Sequence, residues 1–269
     1  SLRRQRQMCI RDRVWEEGAD GRRLRVNVLA APLATAFDRA LRAGYPPAWN
    51  LQPLTSVYKG QGPEDQLRAS YRGISVGCAL AKLYSMVLDA RLSAFASAAG
   101  LRAGGQAGFV RGRSAADHAY VLRHLIDRAR LAPCAPGRRR PRLFAAFIDL
   151  AAAYDSVPRE RLMRLLADAG VCGPMLETLC GMYWDVRARP KVGASLGPAF
   201  ASTCGVRQGD PLSPLLFNIF LDRIEAWLAE RAPQAGVPLL ERATLLQLLL
   251  YADDMVLLAQ DAGALQALL

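Results

Sequence analysis

The sequence predicts an α+β fold in which short apolar strands alternate with long helices. Three observations predict it. Cys78 to Ala99 carries apolar residues at helical spacing (Leu80, Leu83, Tyr84, Val87, Leu88, Leu92, Phe95). Leu143 to Ile148 is a short apolar run fit for a buried strand, and it ends in Asp149. Two further apolar runs, Leu245 to Leu250 and Met255 to Ala259, flank Tyr251-Ala252-Asp253-Asp254. Such a pair reads as a β-hairpin with carboxylates at its tip. One amphipathic helix with two surface acids is the alternative.

The chain has 269 residues and is 52% hydrophobic, enough to bury a core in one large domain or two small subdomains. Its 35 Lys+Arg against 24 Asp+Glu leave +11, a balance that favours polyanionic partners. The six cysteines never stand at C-x-x-C spacing and only two histidines accompany them, so no zinc site is indicated. Scattered thiols in a chain of this length suggest a reducing compartment. No run of roughly 20 apolar residues exists to span a bilayer, and no secretory signal is visible.

In chain order, residues 1–23 are arginine-rich without apolar period and read as non-native or disordered sequence outside the fold. A basic arm touching nucleic acid is the rival reading. Leu24 to Ala43 is expected to be a helix, stopped by Gly44 with Pro46 and Pro47 beyond. Leu54 to Tyr58 and Tyr71 to Val76 read as strands around a glycine-rich turn. Each brings a cation, Lys59 and Arg72, and such a pair on facing strands could grip a triphosphate. Two solvated surface charges would look the same. Ser114 with Asp117 gives a helix start running to about Leu131. The loop before it carries Gln106, Gly108, Phe109, Arg111 and Arg113. Glycine, arginine and one aromatic suit contact with a nucleic-acid backbone, and equally an ordinary loop.

After a Pro/Gly/Arg-rich breaker at 133–142 comes the strand ending in Asp149, then a turn, then a helix opened by Pro158 through Leu166. Asp155 is expected to cap or support rather than react. Gly173 to Tyr183 reads as a helix, and Val186 to Val192 with Ala199 to Thr203 as a hairpin. The segment from Gly205 is a glycine-rich turn feeding a helix from about Pro214 to Ala229, and residues 231–243 are a loop.

Five stretches now stand in order: YRGIS (71–75), QAGF (106–109), FIDLAAAYDSVPR (147–159), GVRQGDPLSP (205–214) and YADD (251–254). Together they resemble a reverse transcriptase, above all the polymerase of non-LTR (LINE-like) retrotransposons, over roughly residues 50–260. Group II intron maturases share part of the pattern. The resemblance implies a right hand with fingers at 24–142, palm at 143–269 and no thumb. It implies metal-binding aspartates at Asp149, Asp253 and Asp254, a Tyr154 that excludes the ribose 2′-hydroxyl, and template and nucleotide contacts at Gln208 and Gly209. Lys59 and Arg72 match the family's triphosphate contacts. Ser70 stands where the family often has Asn, and Gly73 where many members have Pro. The implied partners are an RNA template, a DNA primer and dNTP, with action in the nucleus. Chemistry supports the same reading: three carboxylates could hold two Mg2+ ions, or Mn2+, about 3.5–4 Å apart for in-line nucleotidyl transfer. Two readings stay beside it, a group II intron maturase and a nucleic-acid-binding fragment without turnover.

Overall fold

The computed structural model describes residues 13–17, 23–60, 70–132, 141–239 and 245–269. Strands β1 (Arg13–Glu17) and β2 (Arg23–Asn27) pair antiparallel. Helix α1 (Ala30–Ala43) follows. The expected helix from Leu24 therefore starts six residues late. Asn27 explains the break: its side-chain oxygen accepts the Leu29 N–H at 3.0 Å, ending the strand and turning the chain. The later start also puts Pro32 in the first helical turn, where its missing N–H costs nothing. The rest of the 1–23 reading lies outside the described residues.

Strand β3 (Leu51–Tyr58) pairs antiparallel with β4 (Tyr71–Ser75). Helix α2 (Ala79–Ala98) then runs as its apolar spacing predicts, with Cys78 as N-cap. Helix α3 (Ala115–Leu131) opens on the Ser114–Asp117 capping box. Strand β5 (Phe144–Asp149) follows the breaker, of which 133–140 lies outside the described residues. Next are the short α4 (Ala153–Ser156), α5 (Arg159–Asp168) and α6 (Gly173–Trp184).

The expected hairpin at 186–203 has a larger role. Strand β6 (Arg187–Val192) pairs antiparallel with β7 (Ser195–Leu196) and β8 (Phe200–Ala201) on one edge, and parallel with β3 on the other. One five-stranded sheet thus draws strands from both sides of residue 142. The expected helix 214–229 is two helices, α7 (Ser213–Leu221) and α8 (Arg223–Arg231), interrupted at Asp222. The expected 231–243 loop contains β9 (Val237–Pro238), which pairs with β10 (Leu245–Leu246). Last come β11 (Leu248–Tyr251), β12 (Asp254–Ala259) and α9 (Ala262–Leu268).

Strands β11, β12 and β5 form a three-stranded antiparallel sheet with β12 central. Its strict alternation gives it two different faces. Leu248, Leu250, Met255, Leu257 and Ala259 pack with Leu228 of α8 and Leu268 of α9. Leu249 and Leu258 on the other face pack with Leu125 of α3. β5 is an edge strand rather than a buried one: its burial alternates, and Phe147 is 72% exposed. An apolar run cannot announce which of its faces will be left uncovered. The larger core lies among α1, α2, α5, α6 and α7, around Tyr84, Leu88, Leu162, Leu179 and Phe217.

Candidate active site

Strands β11 and β12 are joined by a two-residue turn, because Tyr251 pairs with Asp254. Ala252 takes the first turn position at φ +56°. A left-handed first position is what strand twist asks of a tight hairpin, and glycine usually fills it. Alanine there costs about 1 kcal/mol or more, so other contacts must hold it. Asp253 occupies the second turn position, and Asp254 opens β12.

Asp254 is the direct register partner of Asp149 at the end of β5. Facing residues of antiparallel strands project to the same side, with Cα atoms about 5 Å apart. Asp149 and Asp254 are both exposed, and Asp253 is half-buried beside them. Among the described residues no three His, Cys, Asp or Glu side chains already enclose a cation. The donor set fits Mg2+ without such a cage. This ion keeps much of its water and is held by one or two carboxylates plus substrate phosphates. Exposed carboxylates can also turn toward it freely.

Tyr154 lies next to this cluster. Burial first, and then the charge of Asp253, push its phenol up to about 12. Its ring stacks on Phe217 of α7, with centroids 4.8 Å apart and planes 13° from parallel. Its hydroxyl is buried without a hydrogen-bond partner.

The 205–212 loop is docked on the turn that carries Tyr154. Val206 N–H donates to Tyr154 O at 2.8 Å and Gly205 N–H to Val157 O at 2.9 Å. Gln208 donates its side-chain amide to Asp155 Oδ2 at 3.2 Å, so Asp155 supports rather than caps. On its far side the loop reaches β4: Ser75 N–H donates to Gln208 O at 2.8 Å. A Cβ on Gly209, at φ +102°, would sit 3.0 Å from Ser75 O. Gln208 and Gly209 thereby bridge Tyr154 to the strand bearing Arg72. Arg72 is exposed and opposite Val57 in register. Lys59 follows one residue beyond β3, its N–H on Ser70 O at 2.9 Å.

Two arginines missed by the sequence reading hold this loop from below. Arg207 is 5% exposed. It donates to Tyr45 Oη at 3.3 Å, to Asn50 Oδ1 at 2.7 Å and to Met182 O, with its guanidinium over the Tyr45 and Tyr183 rings. Arg159 donates to the carbonyls of Gly205, Tyr183, Ser202 and Cys204 and lies over the same Tyr183 ring. Guanidinium forks can serve several carbonyls at once. A cation beside glycines offers no sign in sequence that it will be buried.

The 103–113 segment divides. Phe109 is 61% exposed and Arg111 is exposed. Arg113 turns inward to the carbonyls of Gly104 and Gln106. Gln106 is 1% exposed, which removes it from any surface that a nucleic acid could touch. Gly108 is packed against the hairpin turn, where an added Cβ would lie 2.1 Å from Ala252 N. This pair supports the hairpin instead. The segment is itself held by α8 and the residue before it: Ala103 N–H donates to Asp222 Oδ2 at 3.1 Å and Gly105 N–H to Glu225 Oε2 at 3.2 Å.

Burial raises the Asp222 carboxyl to about 6, opposed by hydrogen bonds from Ala103 N–H and Gln106. A raised carboxyl pKa means the folded state holds its proton more tightly than the unfolded chain. The stability it contributes is complete below pH ~4 and is lost as pH rises through about 6. A shift of this size corresponds to at most about 3 kcal/mol. Urea titrations at pH 4.5 and 7 should show this loss in the wild type, and a smaller one in Asp222→Asn, which keeps an acceptor for Ala103.

Residues 59–269 match the family model described as reverse transcriptase (RNA-dependent DNA polymerase). The chain is 29% identical over 199 residues to a Pol polyprotein of the type-1 retrotransposable element R2 from Nasonia vitripennis, covering 74% of this chain and 18% of that protein. It is 28% identical over 224 residues to an R2 polyprotein from Popillia japonica, covering 82% and 29% respectively. The chain thus spans less than a third of the length of these relatives. A solved apo telomerase from Candida tropicalis, truncated from its C-terminal domain, shares the fold at TM-score 0.51 and 13% identity, covering 94% of this chain and 54% of that one. The telomerase of the same organism in complex with a TWJ fragment of telomeric RNA gives 0.53 and 12%, covering 94% and 43%. With its matching segment running from Lys59 to the last residue, through every acid and loop described above, the chain belongs to the reverse transcriptase (RNA-dependent DNA polymerase) family.

Proposed function

We propose that this chain carries RNA-templated DNA synthesis within the polyprotein of a non-LTR retrotransposon. The pairing of Asp254 with Asp149, with Asp253 in the adjoining turn, is the observation that carries the reading. The R2 names of the relatives favour a retrotransposon over an intron maturase. The fingers would comprise residues 24–142, joined by the β6–β8 excursion, and the palm the rest of 143–269.

Asp149, Asp253 and Asp254 would hold the divalent ions, two Mg2+ or Mn2+ in their place. Bound there, the ions supply charge that eases deprotonation of the primer 3′-hydroxyl and neutralises the β,γ-phosphates. Arg72 and Lys59 take the triphosphate; the forked guanidinium suits it best. Tyr154, stiffened by its stack on Phe217, occupies the space a ribose 2′-hydroxyl would need. Gln208 and Gly209 face template and incoming nucleotide. Phe109 and Arg111 offer stacking and charge to a strand of the RNA template or DNA primer. No helix among the described residues is long and apolar enough to cross a membrane. Action in the nucleus follows from the retrotransposon reading.

The purified protein, given an RNA template, an annealed DNA primer, dNTP and Mg2+, should extend the primer. Binding of the primer–template without extension, unchanged by Asp149→Asn, would instead leave a nucleic-acid-binding role.

A further inference from the structure

The geometry points to Gln106 as the positioning residue of the Asp253–Asp254 turn. The role rests on the polymerase reading for its purpose, though not for its contacts. The Gln106 side chain is buried against the turn. Its Oε1 accepts two N–H groups, from Gly108 at 2.8 Å and Ala252 at 2.9 Å. Its Nε2 donates to Ala252 O at 3.4 Å. One primary amide therefore grips both the donor and the acceptor of the residue that precedes Asp253. A side chain with only acceptors or only donors cannot do this.

The backbone around it reinforces the grip. Leu250 N–H donates to Gly105 O and Ala107 N–H to Leu250 O, both at 2.8 Å, so Gln106 forms a parallel bridge on the open edge of β11. Gly108 lets the segment come against Ala252, and Asn218 of α7 fastens Gly108 O at 2.8 Å. The residue so held is Ala252, whose left-handed conformation alanine resists. Without a partner fixing both of its polar groups, the turn would relax and carry Asp253 with it. Backbone strain at a site persists only where surrounding contacts over-determine it.

The test uses Gln106→Met, which keeps the volume but removes the polar atoms. Amide exchange at Ala252 should accelerate at least tenfold, while amides of α7 and β12 beyond Met255 stay protected. The Kd for Mn2+, followed by electron paramagnetic resonance, should rise at least fivefold. Gln106→Glu retains an acceptor for the Gly108 and Ala252 N–H groups but loses the donor to Ala252 O, and should recover only part of the slow exchange at Ala252. Unchanged exchange at Ala252 in Gln106→Met would overturn the assignment. So would loss of protection throughout the sheet with no rescue by Gln106→Glu, which would make Gln106 a folding residue only. Asp253→Asn separates the two readings: if it leaves Mn2+ binding intact, the metal site is wrong, and Ala252 exchange still decides the role of Gln106.

Discussion

Replacing Asp253 with asparagine is expected to lower RNA-templated extension about a thousandfold. A carboxylate that holds the cation offsetting charge on a transferring phosphoryl group is worth several kcal/mol, and about 4 kcal/mol corresponds to that factor. The fold should not suffer. Asp253 is half-buried at a turn and donates no support to its neighbours, whereas its charge lies beside Asp254 and near Asp149 and Tyr154. Asparagine at a turn position next to Asp254 removes one of two adjacent negative charges, so the urea midpoint should stay level or rise by up to about 0.5 kcal/mol equivalent. The Tyr154 phenol should also titrate lower, since Asp253 is one of the two main causes of its raised pKa. Single-turnover extension, a urea titration and an ultraviolet titration of the tyrosines would check the three parts. Extension at wild-type rate would remove Asp253 from the chemistry.

Gly108→Ala should do the reverse and damage fold and activity together. The new methyl would lie 2.1 Å from Ala252 N, 2.8 Å from Ala252 Cα and 2.9 Å from the Tyr251 carbonyl carbon. All three are backbone atoms, so no side chain can swing aside. Either the 105–108 segment leaves the edge of β11 or the turn moves. Overpacking of this kind costs about 3 kcal/mol, and extension should fall at least a hundredfold. Gly104→Ala is the control in the same loop: its Cβ would meet only Glu225 Oε1, at an ordinary 3.6 Å. It should change stability by less than about 0.5 kcal/mol. Thermal unfolding and primer extension on the two variants would check the contrast.

What was legible in the sequence was mostly local. The period of Leu80 to Phe95 sufficed for α2, and Ser114 with Asp117 for the start of α3. The two apolar runs around YADD specified the hairpin, and Asp149 at the end of its run specified a strand-end acid. What stayed hidden depended on partners far along the chain. Gln106 meets Ala252 across 146 positions, so a glutamine among glycines read as a surface contact. Nothing local marks Arg207 and Arg159 for burial, because the groups that accept from them come from other segments. Phe147 read as core because an apolar run does not say which side will be covered. Asn27 is a local signal of its own: its turn competes with the helix period and wins.

The parallel pairing of β3 with β6 has a consequence for synthesis. Leu51–Thr55 meets Arg187–Lys191 only after some 130 further residues have left the ribosome. At usual elongation speeds that is a wait of roughly ten seconds or more. Until then one flank of β3 offers bare amides and carbonyls to any neighbouring nascent chain. Chaperone demand during translation should therefore peak before residue 187 emerges, and a ribosome stalled there would release an aggregation-prone product.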